Sequence, residues 1–200
     1  MSAMPKVDEG TLVLGIETSC DETAAALVMG GYDVVSSAVS TQVDLHAQFG
    51  GVVPEVASRA HLDLLNPMIA RAIVEAGVQE SRIDAVACTV GPGLVGALLV
   101  GVGFVKALAF ARGRPLVGVH HMEGHLFATS LEHPDAVPPF TALLGSGGHT
   151  LLLEVKDGRK PPSARQLTPA EQKFHARWPG DNLHIVNSVD EALELLKRCV

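Results

Sequence analysis

The sequence predicts an α/β layered domain built on a mixed sheet. Three observations carry this. Short β-rich apolar runs alternate with segments of helical period. One such segment is bracketed by Pro54 and Gly77, residues suited to the first and the terminating position of a helix. The 200 residues are 47% hydrophobic and 18% charged, with a mean hydropathy of +0.27, too apolar for a disordered chain and enough to bury a core. At roughly 150 residues per domain this length holds one full domain, or one with a fragment of another, and excludes a large multidomain enzyme.

The elements follow in order. Residues 11–16 (TLVLGI) and 24–29 (AAALVM) read as two core strands of a hairpin around the polar turn 17–23. From Pro54, apolar Val56, Ala60, Leu64, Met68 and Ile73 recur at helical spacing up to Gly77. Residues 83–90 predict a strand, 94–112 a helix buried in the core, 116–119 a further strand, and a helix begins near Met122. The run at 94–112 is the one stretch apolar enough to be mistaken for a membrane span. Gly96, Gly101, Gly103 and Lys106 within it, and the strands close on both sides, favour the core helix. Residues 140–144 and 150–155 are β-runs joined by the glycine-rich turn 145–149. Past Val155 the text becomes a loop rich in Pro, Arg and Lys. A short strand at 183–186 and a capping box at Ser188-Val-Asp-Glu191, opening a last helix, follow.

Charge marks the same change. Residues 1–155 hold 7 basic and 16 acidic side chains, net −9, and residues 156–200 hold 8 and 6, net +2. This predicts a boundary near Val155, with residues 1–10 as a disordered N-terminus, 11–155 as the main lobe and 156–200 as a basic loop and small α/β appendage. Three cysteines, Cys20, Cys88 and Cys199, lack C-x-x-C spacing, so neither a disulfide framework nor a zinc ribbon is indicated. The first ten residues have no apolar signal-peptide core. A reducing cytoplasm fits both. Cys20 reads as a packed thiol, because no basic neighbour would lower its pKa.

Four motifs could carry chemistry. In His120-His-Met-Glu-Gly-His125, His121 and His125 lie one helical turn apart and would project as a two-imidazole metal clamp. Surface histidines would give the same spacing. The zinc-protease pattern fails, since Met122 stands where its base would be. Gly145-Ser-Gly-Gly-His-Thr150 could cradle a phosphate with its amides, or be only a tight hairpin. Gly91-Pro-Gly-Leu94 could offer a helix N-terminus to an anion, or permit close packing of helix on sheet. Glu17-Thr-Ser-Cys-Asp-Glu-Thr23 places Asp21 and Glu22 where carboxylates could position a cation or a nucleophilic amine, or form a solvated turn.

Together, GIETSCDET (15–23), GGVVPEVASRAH (50–61), GPGLVGALLVG (91–101), HHMEGH (120–125) and SGGHT (146–150) resemble the bacterial tRNA N6-adenosine threonylcarbamoyltransferase family in order and spacing over residues 11–155. The resemblance implies an actin-like, ribonuclease H-like ATPase fold. It also implies transfer of threonylcarbamoyl from threonylcarbamoyl-AMP to N6 of the adenosine beside the anticodon of tRNA. One Fe2+ or Zn2+ would sit on His121, His125 and an Asp of a second lobe. The segment Leu144, Gly145, Ser146, Gly147 and Gly148 would contact the adenylate, or ATP, and Asp21 and Glu22 would match acidic residues linked to activity. Implied partners are a dimerisation paralogue and a small ATPase. Gly145 departs from the family, which generally has Val there, and the second-lobe motifs do not follow SGGHT in this sequence.

From residue 151 the text is similar instead to the C-terminal part of VRR-NUC or PD-(D/E)xK nuclease-like proteins, with Glu154-Val-Lys156 as the E-x-K half of a cleavage motif. Three functions follow as expectations: a transferase chain of reduced activity, a non-catalytic dimerisation partner of the same pathway, or a metal-dependent nuclease fragment.

Overall fold

The computed structural model describes residues 7–133, 135, 139–146, 149–157, 160–178, 182–188, 191–192 and 194–195. β1 (Leu12–Glu17) alternates buried and half-buried residues and pairs antiparallel with β2 (Glu22–Met29), in register from Leu12 opposite Met29 to Glu17 opposite Ala24. Leu12, Leu14, Ile16 and Leu27 put one face of this hairpin into the core. β3 (Asp33–Thr41) extends the meander. Its serines hide it from a hydrophobicity reading: Ser36 is buried because its hydroxyl donates to the Ala72 carbonyl at 2.7 Å. α1 (Val43–Ala47) is one short turn.

α2 (Pro54–Ala76) starts on its proline and ends where Gly77 takes φ 64°, the left-handed conformation that favours glycine. Its buried stripe, Ala57, His61, Leu65, Ile69 and Ala72, keeps helical spacing. β4 (Ala85–Gly91) pairs parallel with β1, and β5 (Leu116–His120) parallel with β4. The sheet order is β3-β2-β1-β4-β5, three antiparallel strands continued by two parallel ones. This is the mixed sheet expected, in ribonuclease H-like order.

α3 (Val95–Arg112) is long and apolar enough to cross a membrane by length and composition, and it packs on β4 and α2. The expectation of a buried helix holds for one face only. Ala97, Gly101, Val105 and Ala109 form a single buried stripe, whereas Val95, Leu99 and Phe110 are 74%, 66% and 90% exposed. Small residues at every fourth position let the helix lie close to the strands, and close approach on one side leaves the other side uncovered.

α4 (His121–Glu132) follows β5 directly. β6 (Phe140–Ser146) and β7 (His149–Val155) form the antiparallel hairpin expected around the glycine turn, with β8 (Leu183–Val186) parallel to β7. α5 (Pro169–Arg177) opens with a capping box between Thr168 and Glu171. At the last helical turn Ser188 Oγ accepts from the Glu191 amide at 3.1 Å, while Glu191 returns to the Asn187 amide rather than to Ser188, one residue off the expected box.

The chain divides into two compact units, residues 1–121 and 122–200, not near Val155. The charge change at Lys156 does not mark the division, because β7 pairs on one side with β6 and on the other with β8. Of the N-terminus expected to be disordered, residues 1–6 lie outside the described residues. Residues 8–11 form a turn in which Asp8 accepts from Thr11 Oγ1 at 2.8 Å.

Candidate active site

The site grows from the C-terminal end of β1, where the strand gives way to Thr18-Ser-Cys-Asp21. Thr18 and Ser19 are buried and tie this turn to the start of α3: Thr18 Oγ1 donates to Ala97 O at 3.0 Å, and Leu94 N donates to Ser19 O at 2.7 Å. Gly93 is required here, since a Cβ would stand 2.5 Å from Ser19 O. Of the two readings of Gly91-Pro-Gly-Leu94, close packing is the one these contacts support, with the Leu94 amide already committed to Ser19.

Glu17 is the residue that pattern reading missed. Its carboxylate accepts from the Ser19 amide, from Thr89 Oγ1 at 2.5 Å, and lies 3.3 Å from His121 Nδ1. Burial opposes its ionisation. The hydrogen bonds from His121, Ser19 and Thr89 outweigh that and hold its pKa at about 2. Reciprocally, the Glu17 carboxylate raises the His121 pKa against the effect of burial. In the sequence Glu17 stands as the acidic end of an apolar strand and the first residue of the Glu17–Thr23 motif, with no role of its own read there.

His121 and His125 both stand in the first turns of α4, one turn apart as expected. Glu17 sits on Nδ1 of His121, and a carboxylate behind an imidazole is the usual support of a metal-bound histidine. Two imidazoles one helical turn apart, one of them backed by a carboxylate, have the chemistry of a two-nitrogen metal clamp. Among the described residues no group of three or more His, Cys, Asp or Glu side chains is placed to hold a metal ion.

Asp21 is half-buried in the β1–β2 turn and Glu22, the first residue of β2, is exposed; Asp21 O accepts from the Gln42 amide at 2.9 Å. Cys20 is exposed, which corrects the packed thiol. Partial burial and then the neighbouring Asp21 raise its pKa, so it remains a poor nucleophile. Of the segment expected to meet the adenylate, Leu144, Gly145 and Ser146 end β6, with Gly145 opposite Thr150 and Ser146 opposite His149. Gly147 and Gly148 lie outside the described residues.

Glu154 and Lys156, the candidate nuclease pair, are 5% and 6% exposed. Lys156 is ion-paired with Glu154 and, at 2.9 Å, with Glu171, while His175 Nε2 lies 2.8 Å from Glu154. Both Lys156 and Glu154 are thus occupied in an internal network. Lys156 cannot serve the basic loop as a free surface charge.

A profile of tRNA N6-adenosine threonylcarbamoyltransferases matches residues 33–173, well over half of the chain. The chain belongs to the tRNA N6-adenosine threonylcarbamoyltransferase family. The relative from Gemmatimonas aurantiaca is 64% identical over 145 residues, covering 72% of this chain and 41% of its own length. The relative from Pelobacter propionicus is 59% identical over 160 residues, 80% of this chain and 47% of its own. Both are named tRNA N6-adenosine threonylcarbamoyltransferase, and the chain spans less than half of either. Among solved structures, YeaZ from Pseudomonas aeruginosa is similar over 94% of this chain and 92% of its own, with 20% identity and a TM-score of 0.47. The family match runs past Val155 into α5, across the segment expected to be nuclease-like.

Proposed function

We propose that this chain supplies the metal-bearing wall of a threonylcarbamoyltransferase, acting in the cytoplasm on the N6 amine of the adenosine beside the anticodon of tRNA with threonylcarbamoyl-AMP as donor. The observation that carries the proposal is Glu17 on Nδ1 of His121, with His125 one turn on. His121 and His125 would hold one Fe2+ or Zn2+, and such an ion, when bound, supplies Lewis acidity toward a carbonyl oxygen. Glu17 keeps the His121 ring in one tautomer and orientation. Asp21 and Glu22, on the turn next to Ser19, would orient the exocyclic amine, a weak nucleophile whose reaction depends on positioning. The Gly147-Gly148 amides would hold the phosphate that leaves with AMP.

Two further features bear on partners. Leu62 on α2 and Val95 and Leu99 on α3 are 63%, 74% and 66% exposed, apolar surface that favours association with the dimerisation paralogue. The acidic balance of residues 1–155 and the enclosure of Lys156 leave little positive charge for tRNA phosphates, so tRNA would be recruited with the paralogue and the small ATPase.

The test is mass spectrometry of digested tRNA after incubation with the chain, the paralogue and threonylcarbamoyl-AMP. Threonylcarbamoyladenosine above the protein-free background is expected, at low yield and lost in His121→Ala/His125→Ala. No product above background from the wild-type chain would overturn the proposed activity.

A further inference from the structure

Behind the acidic turn lies a buried polar chain that the transfer chemistry does not use. His61, at the GGVVPEVASRAH end that faces the core, is 0% exposed, and His46 on α1 is 4% exposed. His61 Nε2 is 3.1 Å from Cys20 O, and a carbonyl can only accept, so Nε2 carries the proton. Nδ1 is then an acceptor, and Thr23 Oγ1 at 2.8 Å and Gln42 Nε2 at 3.4 Å are its donors. With its amide nitrogen turned to His61, Gln42 presents Oε1 to His46 Nε2 at 3.1 Å, which must donate. His46 Nδ1 in turn faces the Val53 amide at 3.4 Å. One proton arrangement satisfies every link, and in it both imidazoles are neutral. Gln42 closes the loop through its own amide, which donates to Asp21 O at 2.9 Å.

We propose that His61 is a positioning residue: as the Nε2–H tautomer it holds the Cys20 carbonyl and, through Gln42 and His46, locks the turn that presents Asp21 and Glu22. This rests on the reading of those two carboxylates as the groups that orient the nucleophile. A second proton on His61 Nδ1 would confront the Gln42 amide and break the chain, so acid releases the turn. The ionisable groups that face His61 are Glu17 and Asp21 from β1 and its turn, which favour the charge, and His46 from α1, which opposes it. Burial outweighs the two carboxylates and lowers its pKa.

Two measurements on the whole chain test this. The first is the tautomer of His61 by nitrogen-15 NMR: the Nε2–H form at neutral pH is expected, and the Nδ1–H form or an imidazolium would overturn the proposal. The second is exchange of the Gln42 amide hydrogen in His61→Gln, which keeps a donor at the Nε2 position, and His61→Asn, which does not. Exchange should quicken roughly three- to tenfold in His61→Asn, the size of one net hydrogen bond, with His61→Gln close to wild type. Equal exchange in both variants, after correction for global stability, would refute it. If His61→Asn fails to fold, the wild-type tautomer still decides. An Asp21→Ala/Glu22→Ala chain that transfers as well as wild type would refute the catalytic reading of the carboxylates and leave the exchange result standing.

Discussion

Gly101 and Gly103 stand two residues apart on α3, and the structure gives their alanine variants opposite signs. A Cβ on Gly101 would land on Thr18 Oγ1, closer than van der Waals contact allows, and Thr18 is buried with its hydroxyl on Ala97 O at 3.0 Å. Alanine in a helix gains about 1 kcal/mol over glycine. Overpacking a tight contact costs about 1–3 kcal/mol, and the displaced hydroxyl forfeits about 1 kcal/mol more. Gly101→Ala should therefore lose about 1–3 kcal/mol net. A Cβ on Gly103 meets nothing within 4 Å, so Gly103→Ala should gain up to about 1 kcal/mol. Urea unfolding followed by circular dichroism should separate the two variants by about 1–4 kcal/mol at unchanged slope. Coincident midpoints, or Gly101→Ala as the more stable variant, would refute the close contact between β1 and α3 on which the site is built.

Further outcomes are expected from the other features. Lys156→Met takes from the buried Glu154 its ammonium partner and should destabilise the unit of residues 122–200 by about 3 kcal/mol; replacing Glu154 by Leu in the same chain should cost less than the single change, measured by thermal unfolding. Hydrogen bonds from Lys156 and the Thr168 amide hold the Glu171 carboxyl at about 2, below its ordinary 4.5. A depressed acid stabilises the fold above its unfolded pKa, so that contribution is complete above pH 4.5 and is lost as pH falls toward 2. Acid titration of Glu171→Gln should show a shallower loss over this window. Leu99→Asp, at a 66% exposed position, should alter stability by about 0.5 kcal/mol or less and abolish co-purification with the dimerisation paralogue.

How much was legible depended on whether a residue's environment is local. The span of α2 with its Pro54 and Gly77 ends and the β1–β2 hairpin are written in spacing, and the structure follows them. The buried row of α2, however, is Ala57, His61, Leu65, Ile69 and Ala72, while the apolar row Val56, Ala60, Leu64, Met68 and Ile73 beside it is half-buried. β3 was illegible because Ser36 and Ser37 dilute its apolar signal, and Ser36 is tolerated only through a carbonyl 36 residues away. The spacing of His121 and His125 was visible. Glu17, which holds His121 from 104 residues upstream, was not, because no local pattern distinguishes a strand-ending carboxylate that meets an imidazole from one that meets water. Likewise E-x-K spacing cannot reveal that Lys156 is enclosed by Glu154 and Glu171.

The most direct test of the account is metal content. The chain purified without chelators, alongside His121→Ala/His125→Ala and Glu17→Gln, would be assayed by elemental analysis and by cobalt(II) titration. The account predicts iron or zinc in the wild-type chain, none above background in the double variant, and cobalt affinity weakened about 10–100-fold in Glu17→Gln, as for loss of a supporting carboxylate. Equal metal content in the wild-type chain and the double variant would contradict it.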